Sequence, residues 1–179
     1  MSYVDDAFYE DLVKAFKDWD HPALEVKDPK VRDECRALLE REARLLDQTK
    51  FEDWLALYSE NCIVWVPGSE AAGDPRREVA IYFDDRRRLE DRIFRLRTGK
   101  AWSQVPASRT VRMVSNVEVF KAGEKLMARS NLLMTEFRAG ETRVIAAWCV
   151  HRIAGGKIEA KQMNLIERDQ SLRNPSVLL

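Results

Sequence analysis

The chain has 179 residues, of which 45% are hydrophobic, and its 30 lysines and arginines balance its 30 aspartates and glutamates. This length suits one domain with a sizeable core, and a net charge of zero argues against a general attraction to nucleic acid or anionic lipid. The acidic N-terminus lacks the pattern of a secretory signal, and no apolar run reaches the roughly 18 residues of a membrane helix. The three cysteines are far apart in the sequence, which predicts buried, reduced thiols in the cytoplasm.

The first predicted element is a short helix near the N-terminus. Phe8, Leu12 and Phe16 recur at helical spacing, which favours one amphipathic helix there. The Asp-His-Pro and Lys-Asp-Pro tripeptides then interrupt the pattern. We therefore predict an N-terminal extension over residues 1–27 and a single domain over residues 28–179.

Two further helices follow in the predicted domain. One begins at Asp28 and Pro29, because aspartate caps helices and proline suits the first helical position. Its apolar stripe contains one acid, Glu42. The next helix is predicted over residues 51–60, with Tyr58 on its apolar side.

After these helices the spacing of apolar residues changes from the helical pattern to that of β-strands. Short apolar runs with β-branched residues predict strands over residues 62–66 and 78–83. Beyond residue 108 the chain is predicted to contain only strands and turns. Gly-containing tetrapeptides predict hairpin turns at residues 122–125, 139–142 and 154–157. Long strands joined by such turns pair antiparallel, and bends or bulges are expected in them.

The strand predicted over residues 144–153 is apolar on both of its faces. Val144, Ala146, Trp148 and Val150 alternate with Ile145, Ala147, Cys149 and Ile153. One face would meet the helices, and the other needs a cover, which suggests a partner subunit. Helices followed by a long meander predict an α+β domain whose N-terminal helices pack on a curved, mostly antiparallel sheet.

A helix with six arginines is predicted within residues 84–99. Asp84 and Asp85 stand at its beginning, where negative charge is favoured, and Gly99 is a natural stop at its end. Its spacing predicts two i,i+4 ion pairs, Asp84 with Arg88 and Asp91 with Arg95.

The face of this arginine helix has two competing interpretations. It is either a solvated, salt-bridged surface or a protein interface. Phe94 lies off the apolar stripe among the arginines, and an exposed aromatic residue beside arginine is typical of interfaces. Nucleic acid is disfavoured, because acids neutralise the stripe and no aromatic platform is interleaved with it.

The predicted interior offers either a buried polar network or a small acid–base pocket. The polar residues expected to line a cavity are Asn116, Asn131, Gln162 and Asn164 on strands, with Glu42 and Tyr58 on facing helices. His151 lies on the same strand face as Cys149 and is predicted to be a hydrogen-bonded core residue. No metal-binding motif occurs, so no metal or cofactor site is predicted on this chain.

Several stretches, taken together in this order, resemble a known family. They are "REARLLDQTKFEDWLALYSENCIVWVP", "LEDRIFRLRTGKAW", "SRTVRMVSNVEV", "RSNLLM" and the ending "NPSVLL". This string is similar to the small (beta) subunit of aromatic-ring-hydroxylating dioxygenases, which are Rieske-type non-haem iron oxygenases, over about residues 30–179. The resemblance implies the cone-like α+β fold of nuclear transport factor 2 and ketosteroid isomerase.

The resemblance also implies a role for the chain. The large (alpha) subunit of this family holds the Rieske [2Fe–2S] cluster and the mononuclear iron, and it hydroxylates or dihydroxylates an aromatic compound in a catabolic pathway. The beta subunit is non-catalytic and structural, commonly within an α3β3 hexamer in the cytoplasm, and meets a ferredoxin or reductase only indirectly. Neither nucleic acid nor a membrane is implied as a partner.

Two alternatives stand beside this interpretation. One is a free-standing cone-fold enzyme of the isomerase or dehydratase type, using Glu42, Tyr58 or His151. The other is a ligand-binding or scaffold module without an enzyme partner. If the chain is a beta subunit, the residues expected near a subunit boundary are Arg92, Phe94, Arg95, Arg97, Trp102 and Arg109.

Overall fold

The computed structural model describes residues 5–69, 73–168 and 177. Its α-helices are α1 (Asp6–Ala15), α2 (Pro29–Asp47), α3 (Phe51–Leu55) and α4 (Arg86–Arg97), and short 3₁₀ turns occupy Pro22–Leu24 and Trp102–Gln104. The predicted start of α2 is confirmed, since the Asp28 side chain accepts a hydrogen bond from the Lys30 backbone N–H. Within the described residues, no helix is both long and apolar enough to span a membrane.

The strands form one mixed sheet. They are β1 (Tyr58–Pro67), β2 (Ala80–Asp85), β3 (Arg109–Ala122), β4 (Lys125–Arg138), β5 (Glu141–Ala154) and β6 (Lys157–Leu165). Their spatial order is β2-β1-β6-β5-β4-β3, and every neighbouring pair is antiparallel except β1 with β6. The predicted α+β class with a mostly antiparallel sheet is therefore confirmed.

The predicted helix over residues 51–60 is wrong in its second half. α3 ends at Leu55, and Tyr58 begins strand β1 instead of lying on a helix. The cause is long-range pairing, because the Ile158 backbone N–H donates to the Leu57 carbonyl over 2.9 Å and Tyr58 lies opposite Ile158 in β6. Tertiary pairing of this kind overrides local helical spacing.

The three predicted hairpin turns of the meander are confirmed. Gly123 and Gly140 have φ angles of 65° and 87°, in the left-handed region where glycine carries no Cβ penalty. The expected bulges also occur, one of them between Ser115 and Glu118 in β3, where Asn116 adopts a φ of 52°.

Helices α2, α3 and α4 cover the inner face of the sheet. One core cluster joins Leu46, Trp54 and Leu55 with Ile93 and Ile158, and Trp54 is completely buried. Val177 also packs on this face, in the cluster of Leu132, Met134 and Met163, while the rest of the predicted tail lies outside the described residues.

The N-terminal segment covers half of the outer face. Leu12 of α1 is fully buried against Ile63 and Trp65, and Trp19 packs on Phe120 and Met127. The outer face was expected to need a cover and to suggest a partner subunit, and over this half the chain's own N-terminal segment supplies the cover. The other half stays open, and its exposed apolar side chains are Val111, Met113, Leu133, Val144 and Ile166.

Candidate functional site

A cluster of polar side chains lies inside the cone, where helix α2 meets the sheet. Glu42 Oε1 accepts a hydrogen bond from Tyr58 at 2.5 Å and one from Lys161 Nζ at 2.9 Å. Its Oε2 atom lies 3.1 Å from His151 Nε2, and Trp54 Nε1 donates to Oε1 over 3.4 Å. The predicted hydrogen-bonded role of His151 is confirmed, and one buried carboxylate organises the whole cluster.

The protonation states in this cluster follow from burial and charge. Burial alone would raise the pKa of Glu42, but Lys161 and His151 outweigh it and hold the pKa well below its ordinary value. Burial lowers the pKa of His151, and burial together with Glu42 raises the pKa of Tyr58. At neutral pH Glu42 is therefore charged, His151 is neutral with its proton on Nε2, and Tyr58 is a phenol.

The space beside this cluster is too small for a substrate. The cavity next to Glu42, His151 and Lys161 measures about 10 Å³, which is room for roughly one water molecule. Arg112 also lines this cavity, and its side chain is 3% exposed and ion-paired to Asp47. This geometry favours a closed, hydrogen-bonded network over an acid–base pocket.

The strand residues predicted to line the cavity do not do so. Gln162 and Asn164 lie opposite Val150 and Trp148, and Asn131 also lies opposite Trp148, so all three point to the outer face. Asn116 sits at the exposed bulge of β3. Successive side chains of a strand point to opposite faces of the sheet. The strand side chains that reach Glu42 are His151 and Lys161, which point to the inner face.

Sequence reasoning missed Lys161, and the reason is a bulge. The predicted turn at residues 154–157 pairs Ala154 with Lys157, and simple counting from it would place Ala160 opposite His151. A register shift between Arg152 and Ile153 places Lys161 there instead. The composition of β6 did not single out Lys161, because Glu159, Gln162 and Asn164 are also polar residues of this strand.

The arginine helix also differs from its prediction in its ion pairs. Asp85, the last residue of β2, caps the helix by accepting from the Arg88 backbone N–H, and Asp84 lies within β2. The two predicted pairs, Asp84 with Arg88 and Asp91 with Arg95, are wrong. The observed pairs are Arg86 with Glu90 at 3.1 Å, Arg87 with Asp91 at 3.9 Å and Arg92 with Asp84 at 2.5 Å.

Three of the six expected interface residues, all arginines, contact residues of other helices or strands. Arg92 also lies over the Tyr82 ring, 4.7 Å from its centroid. Arg97 pairs with Glu52 at 2.8 Å, although both side chains are largely exposed. Arg109 stacks on Phe137 at 4.6 Å, at the start of β3.

The other three have side chains that face solvent. Phe94 is 56% exposed and Trp102 is 87% exposed, and Arg95 makes no ion pair with any described residue. Arg95 and Trp102 line a surface cleft of about 310 Å³ at the C-terminal end of α4. Lys100, which the sequence did not single out, also lines this cleft and lies 5.6 Å from the Phe94 ring centroid.

A family model described as the ring-hydroxylating beta subunit matches residues 41–174. The chain belongs to this family. The match begins within the last part of α2 and extends beyond β6, so both the interior cluster and the arginine helix lie within the beta-subunit region.

Individual relatives agree with this family. The chain is 38% identical over 108 residues to a 2-halobenzoate 1,2-dioxygenase small subunit of Burkholderia cepacia, which covers 57% of this chain and 66% of that protein. It is 35% identical over 103 residues to a benzoate 1,2-dioxygenase beta subunit of Acinetobacter baylyi, covering 54% and 61%. The chain thus matches less than two thirds of the length of either relative.

Solved structures support the fold. A chain of naphthalene 1,2-dioxygenase with indole bound superposes with a TM-score of 0.75 at 23% identity, covering 98% of this beta subunit and 95% of that chain. An NTF2-like protein of Novosphingobium aromaticivorans superposes with a TM-score of 0.52 at 16% identity, covering 98% and 97%. The predicted cone-like fold is confirmed.

Proposed function

We propose that this beta subunit is a non-catalytic, structural component of a multicomponent aromatic-ring-hydroxylating dioxygenase. It assembles with a large subunit that carries the Rieske [2Fe–2S] cluster and the mononuclear iron. The observation that supports this function is the match of the beta-subunit family model to residues 41–174. The closed interior agrees with it, because the Glu42 cluster has no room for a substrate beside it.

The proposal that the iron groups belong to the large subunit is supported by the chemistry of this chain's own side chains. No three His, Cys, Asp or Glu side chains converge as a metal site within residues 5–69, 73–168 and 177. A Rieske cluster needs two cysteines and two histidines, whereas the three cysteines here are separately buried. The described residues therefore do not fit either group.

The assembled enzyme is proposed to act on a monocyclic aromatic carboxylic acid in a catabolic pathway. Relatives of this chain are named for 2-halobenzoate and benzoate, which supports that class. We further propose an α3β3 hexamer in the cytoplasm, which receives electrons from a ferredoxin or reductase through the large subunit.

The subunit boundary is proposed to include the end of α4 and the start of β3. The residues placed there are Arg92, Phe94, Arg95, Arg97, Trp102 and Arg109. The exposure of Phe94 and Trp102 supports this placement, since aromatic residues and arginine are enriched at interfaces. The open apolar half of the outer face is a second surface that a partner subunit would cover in the assembled enzyme.

A gentle purification tests the function. The tagged chain is isolated from its native host, and native mass is recorded together with visible absorbance. We expect a complex that contains a second, larger, red-brown iron–sulfur chain, with a mass that gives the stoichiometry. A colourless species that contains only this chain would contradict the proposal, and an untagged strain purified in parallel controls for carry-over.

A further inference from the structure

Most of the positive charge on α4 is neutralised within the chain. Carboxylates pair with four of its six arginines, in the pairs Arg86–Glu90, Arg87–Asp91, Arg92–Asp84 and Arg97–Glu52. A fifth arginine, Arg88, donates to the Phe83 carbonyl over 2.9 Å. Arg95 is the exception, because it makes no such contact with a described residue.

The uncompensated charge lies in the cleft at the end of α4. Arg95 and Lys100 both line this cleft, and no carboxylate among the described residues lines it. Its remaining lining is Arg92, Leu96, Ala101, Trp102 and Ser103. With a volume of about 310 Å³, the cleft has space for one or two side chains of another protein.

The composition of the cleft indicates the chemistry of its occupant. Cations near a helix C-terminus are favoured by the helix dipole, so Arg95 can remain there without an acidic partner in the free chain. Trp102 is 87% exposed, and tryptophan and arginine are the residues that most often dominate binding energy at interfaces. A second copy meeting the cleft through the same surface would bring like charges together, which disfavours self-association there.

We propose that this cleft receives an acidic segment of the large subunit. A carboxylate of that segment binds between Arg95 and Lys100, and a neighbouring side chain packs on the Trp102 ring. This inference rests on the proposed function, since it assumes a large subunit. The proposal also ranks the expected interface residues by their contribution to binding. Arg92 and Arg97 already have carboxylate partners within the chain, so they contribute less than Arg95 and Trp102.

The test compares two double variants that remove the same charge. In Arg95→Ala/Lys100→Ala the two cleft cations without a carboxylate partner among the described residues are lost, while Arg92 stays paired with Asp84. In Arg87→Ala/Lys121→Ala one arginine of the same helix and one exposed lysine elsewhere are lost. Each variant is co-expressed with the large subunit, and dissociation of the complex on dilution is measured at low and high salt. Thermal melting of each isolated variant checks that the fold is retained.

We expect the cleft double variant to weaken association by about 10-fold to 100-fold at low salt, with a shallower salt dependence than wild type. The control double variant should remain within about 3-fold of wild type. Trp102→Ala should weaken association by at least about 10-fold, and Arg95→Lys/Lys100→Arg, which keeps both charges, should retain most of the affinity.

Three results would overturn the inference in distinguishable ways. If the wild-type complex forms and the two double variants dissociate alike, the acidic-segment contact is wrong while the beta-subunit function stands. If wild type forms no complex with the large subunit, the proposed function fails and the inference fails with it. Loss of affinity in Arg95→Lys/Lys100→Arg equal to that of the alanine double variant would show that charge is not what the cleft supplies.

Discussion

At the scale of single residues, the stability of this protein depends on how Glu42 is neutralised. Glu42 is 3% exposed, and its carboxylate has contacts from Tyr58, Lys161, His151 and Trp54. An ionised carboxylate in such a place is tolerated only while its partners remain, because removing one leaves buried charge uncompensated. Lys161 is the critical partner, since it brings the opposite charge.

Replacing Lys161 with methionine should destabilise the protein strongly. Lys161→Met keeps most of the side-chain volume but removes the ammonium, so the free energy of unfolding should fall by about 3–5 kcal/mol. Urea unfolding followed by circular dichroism measures this change.

A double variant separates charge from packing in this experiment. Lys161→Met/Glu42→Gln removes both charges and should recover part of the loss, while Lys121→Met on the exposed end of β3 should change stability by less than about 0.5 kcal/mol. A double variant that is as unstable as the sum of the two single variants would contradict an ion-pair origin.

At the scale of elements, the N-terminal segment acts as part of the core. Leu12 and Trp19 fill the outer face over β1, β4 and β5, and the Val26 backbone N–H donates to the Val119 carbonyl over 2.8 Å at the edge of β3. The boundary at residue 27 remains a prediction, but a cut there would expose Ile63 and Trp65.

Two leucines of this segment provide a matched pair for testing its role. Leu12 is fully buried, so Leu12→Ala should lower the free energy of unfolding by about 2–5 kcal/mol. Leu24 is 38% exposed, and Leu24→Ala should cost less than about 1 kcal/mol. Equal and small effects in chemical unfolding would mean that α1 does not pack on the sheet in solution.

At the scale of the whole molecule, buried titratable groups should make stability fall on both sides of neutral pH. Burial lowers the pKa of His151 in the folded protein, so below about pH 6.5 the unfolded chain binds a proton at His151 more readily than the folded one. The free energy of unfolding therefore falls as the pH falls below this value. Glu42 lowers the stability further at more acidic pH, because its pKa is lower in the folded protein than in the unfolded chain. Above about pH 8.5 the unfolded chain ionises Cys62 and Cys149, whose pKa burial raises to about 12.

Urea midpoints recorded from pH 4 to pH 10 under reducing conditions measure this profile. We expect a plateau near pH 7–8, a decline toward acid and a second decline toward alkali, where Tyr58 contributes because its pKa is also raised. Cys62→Ala should flatten the alkaline decline while leaving the acidic one. Constant stability from pH 5 to pH 7 would show that His151 is not held neutral by the fold.

The parts of this structure that sequence alone determined are local in origin. Asp28 and Pro29 mark the start of α2, because capping involves only neighbouring residues. Gly123 and Gly140 mark tight turns, since few other residues adopt positive φ. The fold class followed from the order of such elements, and the family followed from the ordered string of residues between them.

Tertiary structure alone decided which distant residues meet. A bulge in the last hairpin moved Lys161 opposite His151, and pairing with Ile158 turned the end of a predicted helix into a strand that begins at Tyr58. Asp84 paired with Arg92 eight positions away because a strand leads into α4 at that point. These contacts depend on register and on how layers are stacked, and local periodicity specifies neither. The place of Lys161 in the buried cluster and the cleft at the end of α4 therefore emerged only from the packed fold.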